Sequence, residues 1–177
     1  TIAFFFEKKR INNLNKVCEQ LNNISKFNKI YILTNKISAK ELGLLKKKIK
    51  VKVNFIIIKE ILHNRLLPWY HYDLMKKSFK QKKITHFIYL EDDMLINKKN
   101  FDYWVNSRKF LKQFNLIPGF VRIEKNKSDN NLYSVDYVKR VKLNSLPKIQ
   151  TNEKINFINN KYPYQGMYLY DRDLMKE

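Results

Sequence analysis

Four short apolar runs, Ile2–Phe6, Lys29–Thr34, Val51–Ile58 and His86–Leu90, are separated by stretches with helical periodicity. Runs of this length bounded by polar residues are the mark of buried strands. Between the first two, Ile11, Leu14, Val17, Cys18, Leu21 and Ile24 recur three or four residues apart, one face of a helix. Between the second and third, Ser38 stands three residues before Glu41. That is a capping box, and it predicts a helix through about Lys48. Between the third and fourth, Pro68 suits a first helical position, and Trp69, Tyr72, Met75 and Phe79 share a face of a helix ending near Lys83. Strands alternating with helices in this way fold as an α/β domain with a mostly parallel central sheet.

The rest of the chain is less regular. Phe101, Trp104, Val105 and Leu111 predict one more helix. Pro118-Gly119 breaks the chain, and Phe120–Ile123 resumes as a strand in which Arg122 and Glu124 stand out. Asn126–Asn131 reads as a polar loop, and Leu132–Lys142 alternates like a strand with one wet face. Asn144–Asn160 has no firm periodicity, Met167–Tyr170 reads as a last strand, and Asp171 is positioned to cap a following helix.

The length of 177 residues suits one domain, and 44% hydrophobic content supplies a core. No apolar stretch approaches the ~20 residues of a membrane-spanning helix. The opening Thr1–Phe6 is too short for a signal peptide and has no basic region before it. Residue 1 is not Met, so the native chain is expected to start upstream. Without an export signal the expected compartment is a bacterial cytoplasm, with a Golgi lumen as the alternative. The single Cys18 excludes an internal disulfide and a cysteine-based zinc site. The net charge of +20 suggests nucleic acid, but 30 of the 36 basic residues are Lys, and readers of base edges favour Arg. With 21 Asn and only three Gly, the excess of Lys, Asn and Ile reads as a coding bias. No specific nucleic-acid partner is expected. The charge leaves room for peripheral association with anionic membranes or affinity for acidic sugars.

The feature that carries chemistry is Glu91-Asp92-Asp93, directly behind the fourth apolar run and followed by Met94-Leu95-Ile96. A buried strand that ends in three adjacent carboxylates gathers repelling charge at the sheet edge, and that charge needs a counter-ion. Hard oxygen ligands suit Mg²⁺ or Mn²⁺. Ligands of open α/β sheets bind outside the carboxyl ends of the strands, which is where the triplet lies.

The stretch Thr85-His86-Phe87-Ile88-Tyr89-Leu90-Glu91-Asp92-Asp93-Met94 resembles the central segment of GT-A fold glycosyltransferases, in the variant whose DxD-type motif is E-D-D. The resemblance implies a Rossmann-like three-layer α/β/α fold and a metal-dependent transfer of sugar from a nucleotide-sugar donor, a UDP-sugar by preference, to a glycan, lipid or protein acceptor. It implies that Asp93 is the direct metal ligand, Asp92 the nucleotide-side partner and Glu91 a supporting group. It implies a nucleotide-binding half at about residues 1–96 and an acceptor-side half at about 97–177. The fold's further metal ligand and catalytic base would then lie past Glu177, and the catalytic residue is not identified. The ends of the first two strands, Phe6, Glu7 and Lys8 with Thr34 and Asn35, would line the nucleobase pocket. Tyr164, Gln165 and Gly166 resemble the loop that seats the donor sugar.

Other residues read more simply. His71, in the cluster Trp69-Tyr70-His71-Tyr72-Asp73, could donate to a phosphate but is expected to be structural. His63 and His86 lack partners in a zinc-like spacing. Two other functions fit the composition. One is a metal-dependent phosphohydrolase or nuclease, which would draw carboxylates from several strands. Asp73, Glu124 and Asp136 are too scattered to supply them. The other is a non-catalytic basic module for nucleic acid or acidic polysaccharide, for which aromatic-interleaved, Arg-rich strands would be expected.

Overall fold

The computed structural model describes residues 1–126, 128–134, 142–150, 156–159 and 166–177. It divides into two compact units, residues 1–107 with 166–177, and residues 108–165.

The first unit is built on a five-stranded sheet in the order β3-β2-β1-β4-β9. Strands β1 (Ile2–Phe4), β2 (Tyr31–Asn35), β3 (Asn54–Ile58) and β4 (His86–Glu91) run parallel. Strand β9 (Met167–Asp171) pairs antiparallel with β4, Tyr89 opposite Tyr168. The helices are α1 (Ile11–Asn22), α2 (Ala39–Lys48), α3 (His71–Phe79) and α4 (Lys98–Leu111), of which residues 98–107 belong to this unit. The sheet alternation sorts the core into two layers. Ile2, Phe4, Ile32 and Leu90 face α1, α2 and Phe101 of α4, whereas Ala3, Leu33, Phe87 and Tyr89 face Leu67 and Met75 of the α3 region. This is a Rossmann-like α/β/α arrangement, and it bears out the fold class read from the sequence.

Most of the predicted elements of this unit form, with boundaries moved by tertiary pairing. The α1 face buries Ile11, Leu14, Val17, Cys18 and Leu21 as expected. The capping box is present, with Ser38 Oγ accepting from Glu41 N and the Glu41 carboxylate accepting from Ser38 N at 2.7 Å. Strand β1 stops at Phe4 rather than Phe6, because the Phe6 N–H donates to the Asn35 side chain at 2.7 Å instead of joining the ladder. Strand β3 starts at Asn54 and not Val51; its ladder opens at Tyr31↔Asn54, and β2 has no earlier residue to pair. Pro68 lies inside a 3-10 turn, Asn64–Tyr70, that leads into α3. The last strand ends in a cap without a helix. Asp171 Oδ1 accepts from Leu174 N at 2.8 Å, and only turns follow.

The second unit contains two antiparallel ribbons, β5 (Ile123–Lys125) with β6 (Leu132–Ser134) and β7 (Lys148–Gln150) with β8 (Asn156–Ile158). The strand expected at Phe120–Ile123 is displaced to Ile123–Lys125, because the turn closed by Asn126 N donating to Asn131 O sets its register. Of the expected strand Leu132–Lys142, residues 135–141 lie outside the described residues. The β7 and β8 segments are three residues each, too short to leave a periodic signal. Among the described residues no helix is long and apolar enough to cross a membrane.

Candidate functional site at the switch point

The chain leaves β1 toward β2 on one side, and β4 flanks β1 on the other. The strand order therefore reverses between β1 and β4, and the crevice beyond their carboxyl ends is the switch point where α/β sheets bind ligands. The register Ala3↔Glu91 aligns the two ends there. The segment after β1 carries Phe6, Glu7 and the 3-10 turn Lys8–Arg10; the segment after β4 carries Asp92 and Asp93.

Arg10 joins the two. Its Nη2 donates to Asp92 Oδ1 at 2.7 Å and to Asp93 Oδ2 at 3.2 Å. The acidic turn therefore has a protein counter-ion, which sequence reading missed. No local sequence pattern signals it, because the contact follows from the adjacency of β1 and β4, which sets the loop containing Arg10 against the triplet.

Asp92 is 3% exposed, and its Oδ2 has no hydrogen-bond partner among the described residues. Burial pushes its pKa up to about 6; Arg10 pulls it down, and Asp93 and Glu91 push it up. Desolvation therefore outweighs the ion pair, as is common for a carboxylate removed from water. Asp93 is half exposed. Glu91 ends β4, and its N–H donates to the Gly166 carbonyl at 3.1 Å, so the residue preceding β9 lies beside the triplet. The negative charge of Glu91 also contributes, after burial, to raising the Tyr168 pKa.

The remaining predicted residues separate into three groups. Asn35 is bonded to the β1 end through Phe6, and its Nδ2 donates to Lys36 O at 3.2 Å. Thr34 is fully buried. These two brace the loops. Glu7 forms an ion pair with Lys9 at 2.6 Å. Tyr164 and Gln165 lie outside the described residues.

His71 is buried and structural. Its Nδ1 lies 2.5 Å from the Pro68 carbonyl, which can only accept, so Nδ1 carries the proton. Its ring stacks on Tyr89 at 4.4 Å, and burial lowers its pKa. His63 accepts from Arg65 N at 3.2 Å. His86 packs edge-on against Phe101 and Trp104, with its pKa lowered by burial.

Among the described residues no three His, Cys, Asp or Glu side chains converge as a self-sufficient metal site. Asp92 Oδ2 and the half-exposed Asp93 are hard oxygen donors that fit Mg²⁺ or Mn²⁺ as a partial set. Mg²⁺ in particular is usually held by one or two carboxylates, with waters and phosphate oxygens completing the shell.

No protein-family model matches the chain, and no curated protein matches it. Among solved structures, it is similar to 4-diphosphocytidyl-2C-methyl-D-erythritol synthase from Anaerococcus prevotii DSM 20548, at 10% identity and a TM-score of 0.45, over 98% of this chain and 69% of that one.

Proposed function

We propose that the chain is a metal-dependent glycosyltransferase whose switch-point crevice holds the diphosphate of a nucleotide-sugar donor. The observation that carries this reading is the buried, unpartnered Asp92 Oδ2 beside Asp93 at the carboxyl end of β4. A buried carboxylate oxygen without a partner is costly, and such groups recur where a ligand completes them. In this reading Asp93 and Asp92 hold Mn²⁺ or Mg²⁺, with Glu91 in support, and the donor phosphates complete the shell. The metal supplies Lewis-acid stabilisation of the leaving diphosphate. The protein's own contributions are to hold the carboxylates in register through β4, to offer Arg10 and Lys8 as positive charge near the phosphates, and to bring Gly166 beside Glu91. A UDP-sugar donor, a role for Tyr164 and Gln165 at the sugar, and a glycan, lipid or protein acceptor belong to the same reading.

The test is calorimetric titration of UDP and GDP with and without Mn²⁺. Nucleotide binding that requires Mn²⁺ and is absent in Asp93→Asn supports the proposal. Nucleotide binding indifferent to both overturns it.

A further inference from the structure

Residues 60–83 present a surface that the nucleotide reading does not use. Leu62 is 98% exposed and Trp69 is 73% exposed. In the 3-10 turn Asn64–Tyr70, side chains three apart align, which places Leu66 and Trp69 in one row. Tyr72 continues that row into the first turn of α3, and Lys76 and Lys80 extend it at i+4 spacing. The Lys76 ammonium sits 4.3 Å from the centre of the Tyr72 ring. The row is not a loosely packed core face, because the same segment buries Leu67, His71, Met75 and Ser78 on its inner side. The segment thus packs its inner side into the core and carries exposed aliphatic, aromatic and Lys side chains on its outer side. From Lys59 to Lys83 the chain carries seven Lys or Arg against two acidic residues, Glu60 and Asp73.

We propose that this surface docks the protein on an anionic lipid membrane. Leu62, Leu66, Trp69 and Tyr72 enter the headgroup boundary, and Lys76, Lys77, Lys80, Lys82 and Lys83 pair with lipid phosphates. Trp and Tyr are the side chains that favour the membrane-water interface, with an apolar body and a polar tip. Each Lys near an anionic surface adds attraction that falls off within a Debye length. The chemistry favours lipid over the rival partners. The most exposed apolar side chain is the aliphatic Leu62, which has no face for a base to stack on. Lysines in this density are depleted from protein-protein interfaces. The proposal stands apart from the nucleotide site and does not require it.

The test is co-sedimentation with phosphatidylcholine vesicles, with and without phosphatidylglycerol, read alongside tryptophan fluorescence. The only other Trp, Trp104, is 1% exposed, so a blue shift on binding reports Trp69. The full chain is expected to bind the anionic vesicles with a blue shift, to ignore the neutral ones, and to release at high salt. Leu62→Ser/Trp69→Ser and Lys76→Glu/Lys80→Glu should each lose about tenfold or more in vesicle affinity. The charge-matched control Lys46→Glu/Lys48→Glu, on α2, should lose far less. Equal loss in the control would make the binding a diffuse charge effect and overturn the proposal, as would no binding at all. Single-stranded oligonucleotide binding, or self-association on gel filtration, that is lost with Trp69→Ser while vesicle binding persists would assign the surface to nucleic acid or to a second copy.

Discussion

Arg10 donates to Asp92 at 2.7 Å across the boundary between β1 and β4, so a cation of the protein already sits on the carboxylates proposed to hold a metal. The same guanidinium reaches Asp93 at 3.2 Å. A metal held by Asp92 Oδ2 and Asp93 would therefore share these carboxylates with Arg10, whose bond on Asp92 is to Oδ1, and would be repelled by its charge. Charge-assisted hydrogen bonds are worth ~1.5–3 kcal/mol, which is roughly a factor of ten or more in affinity. Arg10→Gln should bind Mn²⁺ alone about tenfold more tightly than the wild type, measured by isothermal titration. Its Mn²⁺-dependent affinity for UDP should fall, because a positive charge near the phosphates is gone. Weaker Mn²⁺ binding by Arg10→Gln would mean that the arginine orients the carboxylates rather than competing for them.

Asp93 is the residue whose loss should separate binding from folding. It is half exposed, with Arg10 as its described ion-pair partner. Asp93→Asn should therefore change unfolding free energy by no more than about 0.5 kcal/mol, in the range of surface substitutions. Mn²⁺-dependent nucleotide binding should disappear in calorimetry. Retained binding at wild-type strength would remove Asp93 from the metal site.

Asp92 predicts a pH dependence of definite sign. Its folded-state pKa is raised to about 6, above the usual carboxylate value, mainly by burial. The native state therefore takes up the proton before the unfolded state does. The penalty for the buried charge is complete above about pH 6 and fades as pH falls toward 4, so this residue makes the metal-free protein more stable on acidification. The size is on the order of 3 kcal/mol. His71 and His86, whose pKa values burial lowers, act in the opposite direction below their ordinary value. Urea midpoints of wild type and Asp92→Asn at pH 7 and pH 5 isolate the carboxylate, because the histidine contribution is common to both. Asp92→Asn should be relatively more stable at pH 7, with the advantage shrinking at pH 5. A constant difference across that range would mean that Asp92 titrates at its ordinary value.

The parts of this protein legible in the sequence are those with local causes. The α1 face could be read because helical spacing alone selects Ile11, Leu14, Val17 and Leu21, and α2 because Ser38 and Glu41 cap it locally. The acidic turn could be placed at a strand end because the apolar run before it is continuous. What could not be read depends on residues far apart in the chain. Arg10 meets Asp92 only because β1 and β4 are neighbours, and no local pattern announces an 82-residue contact. Asn35 looked available to a ligand, but the Phe6 N–H needs an acceptor once β1 leaves the ladder, and Asn35 supplies it. The stretch Asn144–Asn160 resisted assignment because the strands described in it, Lys148–Gln150 and Asn156–Ile158, are three residues long and carry no period.

Arg172, just past β9, shows how a second distant contact supports the site from below. Its Nη1 donates to Ile84 O at 2.8 Å and Gln81 O at 3.3 Å, and its Nη2 donates to Phe79 O at 2.9 Å. Its guanidinium lies 4.2 Å from the centre of the Phe79 ring. The last residue of α3 and the turn after it thus have carbonyls satisfied by a cation at the helix's negative end. These residues lead directly into β4, whose far end carries the triplet. Arg172→Met keeps much of the apolar stem and removes every guanidinium donor, leaving up to two carbonyls, Phe79 O and Ile84 O, to find water, while Gln81 O keeps its bond from Ile84 N. The expected loss is about 1–3 kcal/mol in urea unfolding, with hydrogen-exchange protection falling first in α3. Arg172→Lys keeps the charge but not the planar fork, and should recover only part of the loss. An unchanged midpoint for Arg172→Met would show that water replaces the clamp without cost.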